Sequence, residues 1–101
     1  MLNGKYQSSI KTPMGDITGT ITLNSNSNSN NVVCIIETMG MKNNFNGMRL
    51  ANDKCNFTGS FNTPIGNISY NAICKVNQDK LELEAVTNKG NFKINGNRIK
   101  P

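Results

Sequence analysis

The sequence predicts an all-β protein: eight short antiparallel strands in an up-and-down meander, closed into a barrel and built from two four-strand repeats. Three observations predict it. Side-chain character alternates at a period of two, clearest where Ile17, Gly19, Ile21 and Leu23 interleave with Thr18, Thr20 and Thr22. Turn residues recur at the roughly 8–12-residue spacing of an all-β chain, and no stretch keeps a helical period. Finally, the chain repeats itself, which suits an even number of strands, and closing them into a barrel hides the edges that an open sheet would expose.

Direct comparison of the two halves reveals the repeat. Residues 6–17, Tyr-Gln-Ser-Ser-Ile-Lys-Thr-Pro-Met-Gly-Asp-Ile, return at 57–68 as Phe-Thr-Gly-Ser-Phe-Asn-Thr-Pro-Ile-Gly-Asn-Ile, an offset of 51. Residues 45–50 return at 94–99 with an offset of 49, and Thr38 matches Thr87 at that second offset. The difference falls in the Asn/Ser run at 24–31, expected to be a flexible loop, against the shorter link at 75–80. Loops absorb such length changes at little cost. The 101 residues thus read as one domain with repeats at 4–50 and 55–99, each half too small to bury a core comfortably by itself.

The first strand, 5–12, leads into Pro13-Met14-Gly15, where proline pre-sets φ and glycine accepts a positive one. A second strand runs over 16–23. After the loop come strands at 32–39 and 41–50. In the second half, Thr63-Pro64-Ile65-Gly66 repeats the turn, and Ile68, Tyr70, Ala72 and Cys74 then share one strand face. Strands at 81–87 and 90–99 complete the set. Asn46-Gly47 and Asn95-Gly96 have type I′ turn composition, but the repeat puts both late in a strand. They are read instead as bulges or points of close approach. The inward set is Tyr6, Ile10, Ile17, Ile21, Ile36, Phe45, Phe61, Tyr70, Leu83, Phe92 and Ile94.

Gly4-Lys5-Tyr6 in the first strand, with Arg98 late in the last, resembles the Gly-x-Trp and late-strand Arg pairing of calycins. These are the up-and-down barrels of lipocalins, fatty-acid-binding proteins and streptavidin-like proteins. Tyr6 stands where that motif has Trp. The resemblance implies a calycin-like barrel whose Arg98 covers the closed end by packing over the Tyr6 ring. The turns at 12–15 and 63–66, with the stretch Cys74 to Leu81, also resemble a small, uncharacterised bacterial family of duplicated Thr-Pro-Met-Gly β-repeats. Independently of either likeness, a guanidinium on an aromatic face gains roughly 0.5–2 kcal/mol. The structural Arg–aromatic set is therefore Arg98 with Tyr6 and, at matched repeat positions, Arg49 with Phe57. Likeness of fold does not carry a ligand across.

Composition bounds the chemistry. The chain has no histidine, which removes the usual general base and the commonest metal ligand and excludes Ser-His-Asp and Cys-His arrangements. No phosphate loop, dinucleotide fingerprint or EF-hand spacing occurs. Glu82 and Glu84 share a strand face expected to be solvated. Cys34, Cys55 and Cys74, odd in number and unequally spaced, fit neither a disulfide framework nor a zinc site, and are read as reduced core thiols. The expectation is a non-enzymatic protein without metal or cofactor. It is expected to be cytoplasmic, because Met1 to Tyr6 lacks the apolar segment of a secretory signal. No run approaches the ~18 apolar residues of a membrane helix, so no membrane association is expected. The net charge of +5 comes from scattered lysines and arginines, as on an ordinary soluble surface.

Three binding readings follow. An eight-stranded barrel is either filled by side chains or holds one small ligand. The candidate cavity residues are Ile17, Ile21, Ile36, Phe45, Phe61, Tyr70, Leu83 and Phe92, and the ligand would be a small apolar molecule. The second reading starts from Val32, Cys34 and Ile36 facing inward. Val33 and Ile35 then face outward where the second half has Glu82 and Glu84, which suggests a homodimer or docking on another protein, with Met39 and Met41 at the rim. A register slip of one residue would bury that pair instead. The third reading is a weak single-stranded nucleic-acid binder, suited to a small, basic all-β chain with aromatics. The eight-strand count and the inward placement of Tyr6, Phe57, Phe61 and Tyr70 stand against it.

Overall fold

Alternation along each strand sends every second side chain to one face of the sheet, and the sheet curls until that face is enclosed. The computed structural model describes residues 2–12, 15–25, 28–38, 40–64 and 66–99; the side chains at 10–12 and 61–63 also lie outside the described set. The strands are β1 (Gly4–Thr12), β2 (Gly15–Ser25), β3 (Asn31–Thr38), β4 (Met41–Ala51), β5 (Lys54–Thr63), β6 (Gly66–Asn77), β7 (Lys80–Thr87) and β8 (Gly90–Arg98). Each pairs antiparallel with its chain neighbours, and β8 returns to β1 to close the barrel. The predicted all-β meander barrel is the observed architecture.

Local backbone chemistry explains the turns. Gly15 and Gly66, 51 residues apart, have φ of 112° and 120°, backbone that glycine adopts without the Cβ clash other L-residues would meet. Two backbone hydrogen bonds recur at the 49-residue spacing: Arg49 N donates to Asn30 O at 2.6 Å and Arg98 N to Asp79 O at 2.7 Å. Of the predicted 24–31 loop, Asn26 and Ser27 lie outside the described residues.

Both Asn-Gly pairs sit inside strands, as points of close approach rather than hairpin turns. A Cβ on Gly47 would fall 2.2 Å from the Asn56 carbonyl oxygen and 2.4 Å from the Phe57 ring. The β4–β5 register explains this and corrects one expectation. Tyr6 lies opposite Arg98, but Phe57 lies opposite Gly47, and Arg49 is opposite Cys55. That slip of two residues carries Arg49 past the aromatic ring, so the Arg49–Phe57 stack does not form. Arg49 Nε is instead buried without a hydrogen-bond partner.

Inward side chains fill one half of the barrel, the end at which Ser25, Ala51 and Asn77 close their strands. Leu2, Tyr6, Leu23, Val32, Val76 and Leu81 are all fully or almost fully buried. On β3, Val32 and Cys34 are buried while Val33 and Ile35 are half-buried on the outer face, so the strand has the unslipped register. Thr22 and Asn44 flank Ile35, and Asn24 and Asn46 flank Val33. Of the proposed rim, Met41 is exposed and Met39 lies outside the described residues.

The glycine geometry predicts unequal costs. Gly47→Ala should lower the unfolding free energy in a urea titration by about 1–3 kcal/mol, as overpacking does. Gly96→Ala, whose Cβ would meet nothing closer than Gln7 O at 3.1 Å, should cost clearly less.

Candidate binding cavity

The two ends of the barrel differ in kind. At the filled end the Arg98 guanidinium stands 4.9 Å from the Tyr6 ring centroid. Its Nη1 donates to Asn3 O at 2.6 Å, its Nη2 to Gln78 O at 3.3 Å, and its Nε lies 3.3 Å from Asp79 Oδ1. Tyr6 Oη donates to Leu2 O at 2.9 Å. Asn3 is in turn bonded to Ser25, whose backbone N donates to Asn3 Oδ1 at 2.7 Å. A Cβ on Gly4 would fall 2.5 Å from Arg98 Nη1, so a side chain there would displace the guanidinium from this position. This cluster ties β1, β8, the β6–β7 turn and residues 2–3 into a plug. Burial raises the Tyr6 phenol above its ordinary pKa, against the lowering pull of Arg98.

Beyond the filled half lies an apolar cavity of about 330 Å³. Five of the predicted residues line it: Ile36, Phe45, Tyr70, Leu83 and Phe92. Phe92 stays half exposed toward the end carrying the β7–β8 turn. Ile21 is fully buried and Ile17 half-buried, and neither lines the cavity. The side chain of Phe61 lies outside the described residues.

The lining also includes Ile68, Ala72, Ala85 and Thr87, which were not among the predicted cavity residues. The alanines explain why space exists. Ala72 and Ala85 are direct cross-strand partners on β6 and β7. Their repeat counterparts, at offsets of 51 and 49, are Ile21 and Ile36, which are also cross-strand partners. One half of the barrel carries an Ile–Ile pair where the other carries Ala–Ala. Because buried volume is set by side-chain size, this swap leaves room on the β6–β7 wall. The signal was present in the repeat alignment as a change of size rather than of polarity.

The cavity offers apolar surface and little else. Among the described residues, no charged side chain lines it. Thr87 Oγ1 is engaged in the β7–β8 turn, donating to Gly90 O at 2.5 Å and accepting from Lys89 N at 3.0 Å. Phe45 and Tyr70 meet edge to face, with centroids 5.6 Å apart and planes at 87°. Cys34 contributes to the wall, and burial pushes its thiol up to about 12. Deeper in, Cys74 is held protonated by its hydrogen bond with Cys55 and by burial. A protonated thiol is a poor nucleophile. Among the described residues, no group of three His, Cys, Asp or Glu side chains is placed to hold a metal ion.

No family model matches the sequence, and no curated protein matches it. Solved structures do. A redesigned β-barrel, mFAP1, bound to DFHBI, superposes with a TM-score of 0.65 at 13% identity, over 97% of this chain and 94% of that one. The chain shares their fold, a small closed eight-stranded antiparallel barrel. A second redesigned β-barrel gives a TM-score of 0.66 at 13% identity, over 98% and 92% of the two chains. A de novo designed fluorescence-activating β-barrel gives 0.58 at 10% identity, over 96% and 93%. At such identities the likeness is one of fold.

Two outcomes follow for the plug and the thiols. Arg98→Met keeps apolar bulk but removes the charge-assisted bonds, and should lower the urea midpoint by an amount equivalent to about 1.5–3 kcal/mol. The thiols give a pH test. The folded state holds the Cys34 proton to about pH 12 against an ordinary thiol value of 9.0, so this contribution is complete below pH 9. It is lost as pH rises from there toward 12. Urea midpoints should fall over that window, and Cys34→Ala should flatten the fall.

Proposed function

We propose that this protein is a non-enzymatic binding module that takes one small, uncharged apolar molecule into the open half of the barrel. The observation that carries the reading is the 330 Å³ cavity, which among the described residues has no charged lining side chain. Burial of apolar ligand surface in such a space is favourable at about 25 cal/mol per Å² before the costs of association. That mFAP1, of the same fold, is bound to DFHBI supports the reading coarsely. The absence of histidine and the protonated state of the wall thiol favour binding over catalysis. Three unpaired buried thiols suit a reducing, cytoplasmic setting.

A second reading, self-association, is favoured by one observation. Met48 and Leu50 are exposed on the outer face of β4, and Met48 lies one step diagonal to half-buried Val33 on β3; exposed apolar side chains of this kind attract partners. A nucleic-acid role finds less support, since Tyr6, Phe45, Phe57 and Tyr70 all contribute to the interior.

The repeat supplies the test of the cavity. Ala72→Ile with Ala85→Ile copies the Ile–Ile pair into the second half. Titration with N-phenyl-1-naphthylamine, a neutral fluorogenic probe, should show saturable binding to the parent. The filled variant should bind at least about tenfold more weakly, the loss equivalent to roughly 1.4 kcal/mol of apolar contact, while its unfolding midpoint is kept or raised. Equal binding by both proteins rejects the cavity. For the second reading, light scattering should give a larger mass for the parent than for Val33→Glu/Ile35→Glu; equal masses reject it.

A further inference from the structure

We propose that ligand reaches the cavity sideways, through a seam between β4 and β5, with Phe45 and Tyr70 as its gate; this rests on the cavity reading above. β4 and β5 form a hairpin that begins to pair at Ala51 and Lys54 and stops at Gly47 and Phe57. Above that point, Met41–Asn46 pairs only with β3, and Thr58–Thr63 only with β6. The corresponding seam between β8 and β1 is paired as far as Ile94 and Ile10, the repeat counterparts of Phe45 and Phe61. One seam is zipped where the other is open.

Exposure agrees with the pairing. In an intact ladder alternate residues are covered, yet Thr58, Gly59 and Ser60 are exposed in succession. Asn43, which shares the inward phase of Phe45, is exposed as well. The wedge that starts the opening is visible: the Phe57 ring occupies the space a Gly47 side chain would need.

Behind the seam stands the aromatic pair. Tyr70 lies against Gly59, where a Cβ would be 2.7 Å from its hydroxyl oxygen, and its ring meets Phe45 of β4 edge to face. Both rings also line the cavity. The wall is therefore bridged here by side-chain contact instead of ladder hydrogen bonds. Side chains change rotamer far faster than a hydrogen-bonded ladder opens, so of the two wall seams this is the one through which a small molecule passes with less disruption.

Stopped-flow kinetics with N-phenyl-1-naphthylamine test the route. Phe45→Ala should raise the association rate by about tenfold, the scale set by one aromatic pair, and Phe45→Trp should lower it. A mere change of affinity would act mainly on dissociation. Asn44→Cys with Ser60→Cys, which would face each other if the register continued, should when oxidised slow both rates, with recovery on reduction. The route is overturned if Phe92→Ala at the mouth accelerates exchange while Phe45→Ala does not, or if the cross-linked form exchanges as fast as the reduced one. Should the pair resist cross-linking, the Phe45 and Phe92 variants decide. Absence of probe binding by the parent overturns the cavity reading and the route with it, whereas binding with unchanged rates in the Phe45 variants overturns the route alone.

Discussion

The placement of Arg98 over Tyr6 is the constraint on which the rest of the barrel depends. A sheet of eight short strands must close β8 onto β1, and closure leaves polar groups at the end where the strands converge. One guanidinium meets several of those needs together: an aromatic face, two backbone carbonyls and the Asp79 carboxylate. Because arginine stays charged and planar at any physiological pH, the same group can stack and donate at once. With that end sealed over Leu2, Tyr6 and Leu81, the opposite half of the barrel does not have to be completely filled.

Differences between positions matched in the sequence then shape the interior and the barrel wall. At one matched position the cross-strand pair is Ile21–Ile36, at the other Ala72–Ala85, and space opens beside the smaller pair. At another, Tyr6 faces Arg98 while Phe57 faces Gly47. That difference leaves Arg49 without the aromatic partner that its counterpart has, and places the Phe57 ring where β4 and β5 part. The cavity and the break in β4–β5 pairing both lie where the matched positions differ.

Much of the architecture was legible before any coordinates. Period-two alternation in β2 and the glycine-containing turns located the strands within a few residues, and the inward phase of Val32 and Cys34 followed from the same alternation. The resemblance carried by Gly4, Tyr6 and Arg98 anticipated the plug. Five of the eight proposed cavity residues line the cavity, because inward phase alone selects them. Ile21 was misplaced because phase says which face a residue occupies but not which half of the barrel is filled. Ala72 and Ala85 were passed over because a small side chain contributes space rather than contact.

By itself the sequence determined the strand count, the alternation, the turn positions and the lack of histidine chemistry, all of which depend on residue type at short range. Tertiary structure decided how the seams register, whether Arg49 meets a ring, and how the enclosed volume divides between core and cavity. Those depend on the relative displacement of strands distant in sequence and on the summed volumes of side chains from several of them. A shift of two residues between paired strands preserves every alternation in the sequence, yet it exchanges the neighbours each side chain meets across the barrel wall.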